Sequence, residues 1–204
     1  MQQAVVSSAV TAAPLRPAVI FDRDGTLVQD DGYTHRASDL KWLPGVKDAL
    51  RGVCDKGYRL VVATNQSGLG RSRYGITDMS LFHQAMDADL ASEGIAIDAY
   101  YFCPFIDGAE MPEFDVVDHP DRKPSPGMIR RAIIELGLDP SRTVYVGDRD
   151  IDAKAARAAG IRGLVVTPGT MAEALSALPV VSMTSGTPWN EDLRRLAETA
   201  RHWM

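Results

Sequence analysis

The sequence predicts an α/β protein, a doubly wound parallel sheet with helices on both faces, and three observations carry that expectation. Five short β-rich runs alternate with longer helical patterns, the rhythm of repeated β-α-β units. Runs such as "AVIF" and "LVVA" are continuously apolar, as strands covered on both faces are. Two stretches of weak periodicity, residues 25–43 and 104–123, each follow the end of a run. Ligands of open parallel sheets bind beyond the carboxyl ends of the strands, so both loops should border a site.

Taken in order, the first residues, "MQQAVVSSAVTAAPLRP", are small and polar and read as a loose tail over 1–16, ahead of one domain over 17–204. The first strand is "AVIFD" (18–22), and Pro44 and Gly45 open a helix that Gly57 closes. "YRLVVAT" (58–64) is the second strand, Thr77 caps the next helix, Gly94 follows it, and "AIDAYYF" (96–102) is the third strand. Ser125 and Pro126 supply an N-cap and an N1 proline, "TVYVGD" (143–148) is the fourth strand, and Asp150 caps a helix that stops at Gly160. "GLVVT" (163–167) is the fifth strand. Two helices, in "EALSAL" and "NEDLRRLAETARHW", flank a short strand "PVVS" in the last forty residues.

With 204 residues, 45 % of them hydrophobic, the chain is long enough for one domain with a sizeable core. A net charge of -5 gives no overall basic footprint, which argues against a nucleic acid or anionic membrane partner. No 18-residue apolar run occurs, and two cysteines, Cys54 and Cys103, make no disulfide framework, so a cytoplasmic protein is expected.

The chemistry concentrates at strand ends. In "VIFDRDGTL", Asp22 and Asp24 lie two residues apart where an apolar strand ends, and in extended chain both side chains point the same way. Two such carboxylates repel unless a hard divalent cation joins them. "VVATNQSG" ends the second strand in Thr64 and Asn65, a hydroxyl and a run of amides suited to phosphate oxygens. "DRKPSPG" puts Lys123 just before a helix N-terminus, where charge and free N–H groups favour an anion. "VYVGDRDID" ends the fourth strand in Asp148, with Asp150 and Asp152 following as acids of a helix's first turn.

In that order these four segments resemble the motifs of the haloacid dehalogenase (HAD) superfamily of phosphotransferases, across Ala18 to Thr167. The resemblance implies a Rossmann-like core in which Asp22 is the nucleophile and Asp24 the general acid and base. It also implies that Thr64 and Lys123 hold the phosphoryl group, while Asp148 completes a Mg²⁺ site with Asp22 and Asp24. The loops over 25–43 and 104–123 carry too little regular structure for an inserted cap, so a core without a cap domain, and a monomer, are expected.

Beyond the motifs, "DRDGTLVQDDGY", "LVVATNQSGLGR", "YYFCPF" and "RKPSPGMI" resemble the D-glycero-D-manno-heptose 1,7-bisphosphate 7-phosphatases and the related histidinol-phosphate phosphatases. That resemblance places Arg122, Lys123 and Arg149 at the substrate, a small phosphorylated sugar used in building bacterial surface polysaccharide. The surplus of cations favours a sugar bisphosphate over histidinol phosphate, and the acidic charge argues against a polynucleotide 3′-phosphatase. One departure stands out. The family commonly binds Zn²⁺ through C-x-H … C-x-C, and the matching positions here are Cys103, Phe105, His119 and Asp121. Phenylalanine cannot ligate, so no structural zinc is expected, and apolar packing by Phe102, Phe105, Ile106, Met111, Phe114 and Val116 should hold the loop instead.

Overall fold

A computed structural model describes residues 14–181. Five parallel strands form one sheet: β1 (Arg16–Phe21), β2 (Arg59–Asn65), β3 (Ala99–Cys103), β4 (Leu138–Gly147) and β5 (Arg162–Val165), in the order β3-β2-β1-β4-β5. Reversal of strand order beside β1 puts a crevice at the carboxyl edge between β1 and its neighbours. The helices are α1 (Val46–Asp55), α2 (Ser67–Gly70), α3 (Ile76–Ala91), α4 (Gly127–Glu135), α5 (Asp150–Ala159) and α6 (Met171–Ser176).

Strand alternation sorts the core into two layers. Val19, Phe21, Leu60, Val62, Val144 and Val146 face the layer built by α1, α3 and α6, where Leu50, Phe82, Met86 and Leu175 are buried. Ala18, Ile20, Val61, Ala63 and Tyr145 face the other way, onto Met128, Ile129 and Ala132 of α4 and Ala155 and Ala156 of α5. Truncating a fully buried leucine such as Leu50 to alanine would cost roughly 2–5 kcal/mol, because the layer cannot close over the gap.

The sheet and its order of elements match the sequence expectation, while several boundaries move. The cap of α3 is Gly75 rather than Thr77, with the Asp78 carboxylate accepting the Gly75 N–H at 2.9 Å. Pro126 is the N-cap of α4 and Arg149 that of α5, each one residue from the expected position. Gly160 ends α5 as expected, in the left-handed region at φ 82°. The one-turn helix α2 was not expected. Residues 179–181 of "PVVS" are not a strand; the Val181 N–H donates to the Lys56 carbonyl instead. The expected final helix, most of the 1–16 tail and the domain's end at 204 lie outside the described residues. Among the described residues, 25–43 and 104–123 contain single 3₁₀ turns, at Ala37–Asp39 and Pro112–Phe114, and in the first an isolated bridge of Val28 to Trp42, with no cap domain.

Candidate active site

A cleft of about 620 Å³ opens at the carboxyl edge of the sheet, and Asp22, Asp24, Thr64, Asn65, Arg122, Lys123, Asp148 and Arg149 all line it. Every site residue expected from the sequence therefore reaches one cavity. The fold explains how. The chain leaves β1 at Asp22, whose N–H still bonds the Val146 carbonyl of β4 at 2.8 Å, and then turns sharply through Gly25. Gly25 has φ 74°, and a Cβ there would lie 2.7 Å from the Asp148 carboxylate, so only glycine lets this turn approach the end of β4.

Asp22, Asp148 and Asp152 each place a carboxylate oxygen within 4.8 Å of the others. Burial, then the charge of Asp22, raises the Asp148 carboxyl above the ordinary carboxylate range. Lys123 lies inside this acidic group: its ammonium is 2.9 Å from Asp22 Oδ2 and 2.7 Å from Asp152 Oδ1, and it donates to the Tyr145 hydroxyl at 2.7 Å. That hydroxyl in turn donates to the Ala63 carbonyl of β2. The ammonium is thus held by one hydrogen bond, to Tyr145, and by two ion pairs, to Asp22 and Asp152. One ammonium against three carboxylates leaves a net negative site, and hard oxygen donors so grouped fit a divalent cation.

Asp24 is placed differently from the expected shared acid pair. Its carboxylate turns to Arg23, which is fully buried and grips it through Nε at 2.7 Å and Nη2 at 3.0 Å, and to Gln66. Burial raises the Asp24 carboxyl above its ordinary range, against the opposing pull of Arg23. Arg23 lies over the Phe82 ring and also contacts His83 Nε2 at 3.2 Å and the Thr34 carbonyl at 2.9 Å.

Asn65 lines the cleft, but its amide bonds the main chain of Lys123 in both directions, at 3.0 and 3.1 Å. It therefore sets the position of Lys123. Arg122 donates to the Phe105 carbonyl at 2.9 Å, and Arg149 is exposed at the rim. Burial foremost, with Arg71 and Arg149 nearby, lowers the Arg122 pKa.

Sequence reasoning missed Tyr145, Gln66 and Arg23, and read Asp152 as an acid of a helix's first turn without giving it a role in the site. A signal existed for Asp152, one helical turn after Asp148. Arg23 was visible too, as a cation between the two aspartates that follow an apolar strand. Nothing in the alternation of β4 marks Tyr145 as the partner of Lys123.

The zinc-loop positions are arranged without a ligand cluster among the described residues. The Phe105 ring stacks on His119 at 3.8 Å and meets Phe114 edge-on at 5.9 Å. His119 Nδ1 accepts the Asp121 N–H, and the Asp121 carboxylate pairs with Arg131 at 2.7 Å.

A parallel sheet with a carboxylate nucleophile candidate after β1, a lysine before α4 and acids after β4 defines a HAD-type phosphatase. The comparisons with known proteins agree. A family profile described as "HAD-hyrolase-like" matches residues 121–188. The chain is 43 % identical over 160 residues to the D-glycero-D-manno-heptose-1,7-bisphosphate 7-phosphatase of Thermosynechococcus vestitus, covering 76 % of this chain and 80 % of that protein. It is 38 % identical over 152 residues to the D-glycero-β-D-manno-heptose-1,7-bisphosphate 7-phosphatase of Haemophilus ducreyi, covering 74 % and 82 %. Among solved structures, the D,D-heptose 1,7-bisphosphate phosphatase of B. bronchiseptica, complexed with magnesium and phosphate, superposes with a TM-score of 0.66 at 30 % identity, covering 92 % of this chain and 99 % of that one. The chain belongs to the heptose-1,7-bisphosphate 7-phosphatase family of the HAD superfamily, and it is a phosphatase. No described helix is long and apolar enough to cross a membrane.

Proposed function

We propose that this phosphatase removes the 7-phosphate of D-glycero-D-manno-heptose 1,7-bisphosphate, in the synthesis of nucleotide-activated heptose. The observation that carries the reading is the pair Arg122 and Arg149, two cations that line the cleft in addition to Lys123 and suit a second phosphate. The names of the relatives point the same way.

Asp22 attacks the phosphorus of the 7-phosphate, forming a P–O bond to its carboxylate while the bond to the sugar oxygen breaks. Asp24 gives its proton to that leaving oxygen. In the second half, Asp24 takes a proton from water as the water oxygen bonds to phosphorus and the bond to Asp22 breaks, releasing inorganic phosphate and restoring both carboxyls. Lys123 holds Asp22 in place and offsets charge on the phosphoryl oxygens, and the Thr64 hydroxyl donates to one of them. Asp22 and Asp148, with Asp152 beside them, would hold Mg²⁺, in keeping with the magnesium of the B. bronchiseptica relative. Bound there, the ion would offset the charge gathered on the transferring phosphoryl group.

The test is a panel of phosphate esters with Mg²⁺, including both heptose bisphosphate anomers and histidinol phosphate. The highest kcat/KM should fall on a heptose bisphosphate. Preference for histidinol phosphate would overturn the substrate assignment.

A further inference from the structure

Gln66 directly follows β2 and is buried, 1 % exposed, against two cleft-lining groups of the proposed mechanism, Asp24 and Thr64. Its Nε2 donates to Asp24 Oδ2 at 2.7 Å and to Thr64 Oγ1 at 3.1 Å, and its Oε1 accepts the Tyr74 hydroxyl at 2.5 Å. The orientation of the amide follows from its neighbours. An ionised carboxylate only accepts, so the NH₂ must face Asp24, and the Tyr74 O–H then has the carbonyl oxygen to bond.

The contact divides the two oxygens of Asp24. Oδ2 accepts from Arg23 Nη2 and from Gln66 Nε2, which occupies both of its lone pairs. Among the described residues Oδ1 accepts from Arg23 Nε alone and keeps one lone pair. The same amide uses Thr64 Oγ1 as an acceptor, which leaves the hydroxyl's own proton to be donated elsewhere. We propose that Gln66 is a positioning residue of the reaction: it holds Asp24 so that Oδ1 is the oxygen that exchanges the proton, and turns the Thr64 hydroxyl so that its proton faces the phosphoryl group. Tyr74, which itself lines the cleft, anchors it through its hydroxyl and is stacked in turn on His35 with ring centroids 4.7 Å apart.

The inference rests on the proposed roles of Asp24 and Thr64. Gln66→Met keeps length and volume and removes the amide. A badly placed general acid matters most when the leaving oxygen is basic, so the variant is compared with wild type on heptose bisphosphate, an alkyl ester, and on p-nitrophenyl phosphate, whose leaving group needs little protonation. kcat on the bisphosphate should fall about thirtyfold with KM changed less than about threefold, while p-nitrophenyl phosphate turnover falls at least about fivefold less. Tyr74→Phe, which keeps the Asp24 contact and loosens only its anchor, should show the same bias at smaller size, and it serves if Gln66→Met does not fold. Equal losses on the two esters, or none, in whichever variant folds would overturn the proposal. Asp24→Asn, run alongside, separates the failures. If it keeps full activity on the bisphosphate, the role given to Asp24 is wrong; if it is inactive while the leaving-group bias is missing, Gln66 alone was misassigned.

Discussion

Lys123 Nζ lies 2.7 Å from Asp152 Oδ1, joining the loop ahead of α4 to the first turn of α5, and both side chains are almost wholly shielded from water. The same ammonium reaches Asp22 at 2.9 Å. An ammonium in such surroundings is tolerated only while its partners are ionised and in place.

Asp152→Ala should therefore destabilise the fold strongly. It strips one partner from a buried cation and removes the acceptor of the Arg149 N–H at the start of α5. Breaking a buried pair on one side costs about 3–5 kcal/mol, and urea unfolding should show a loss of that order. Asp152→Asn, which keeps an oxygen acceptor, should lose less. An Asp152→Ala variant as stable as wild type would show that Lys123 is held by Asp22 and Tyr145 alone.

Asp22→Asn keeps shape and removes the nucleophile, so kcat should drop by at least ~10², and chelation of divalent metal should abolish wild-type turnover. Single-turnover kinetics on acid-quenched enzyme would test this directly, by looking for phosphate covalently held on wild type. Turnover by Asp22→Asn within tenfold of wild type would be incompatible with a covalent route.

The proposed function gives Arg122 the part of the substrate away from the reacting phosphate. Its guanidinium is fixed by the Phe105 carbonyl and still lines the cleft, so Arg122→Ala should lower kcat/KM on a sugar bisphosphate by about 10- to 100-fold. A simple monophosphate should lose far less. Similar losses on both substrates would assign Arg122 to the transferring phosphoryl group.

His83 supplies a pH dependence of stability whose sign is fixed by its surroundings. Burial first, then the neighbouring Arg23, lowers its pKa from 6.5 to about 3, and its ring stacks on Tyr100, whose hydroxyl bonds Asp87. In the unfolded chain the imidazole takes up a proton near pH 6.5; in the fold it stays neutral, accepting from Arg23. The unfolded state thus binds more protons in the window between, and stability falls as pH drops from about 6.5 toward about 3. His83→Gln keeps an acceptor for Arg23 and does not titrate. Its melting temperature should fall less steeply than that of wild type between pH 6.5 and 4; parallel curves would exclude His83 as the source.

The sheet, its direction and the convergence of Asp22, Thr64, Lys123 and Asp148 were legible because each depends on local pattern: apolar runs of strand length, and polar groups placed where those runs end. What stayed hidden depends on packing across elements. The strand register that sets Tyr145 beside Lys123 is not written in either segment. Thr77 was the better intrinsic cap, yet Gly75 takes the position because the Asp78 carboxylate turns back to its N–H. The turn of Asp24 away from the other acids follows from the burial of Arg23 between Phe82 and His83, residues about 60 positions further along the chain.

The loop after β3 gives the last prediction: protein purified without added zinc should contain none in stoichiometric amount, and its loop should rest on packing. Position 105 is a phenylalanine, which offers no electron pair to a metal, and a tetrahedral structural site needs four ligands. In the fold that ring covers His119 at 3.8 Å and meets Phe114, while the Ile106 N–H bonds the Phe114 carbonyl at 3.0 Å. Ile106 is itself buried, and Phe102 and Phe114 pack on the cluster of Leu69, Tyr74 and Met79. Each well-buried apolar side chain contributes about 1.5–3 kcal/mol, so a few of them can hold the loop that a metal would otherwise tie. Phe105→Ala should then lower the melting temperature by several degrees and raise proteolysis between residues 104 and 123, whereas a zinc chelator should change neither. Near-stoichiometric zinc that Cys103→Ser abolishes would show that Cys103, His119 and Asp121 still gather around a metal despite Phe105.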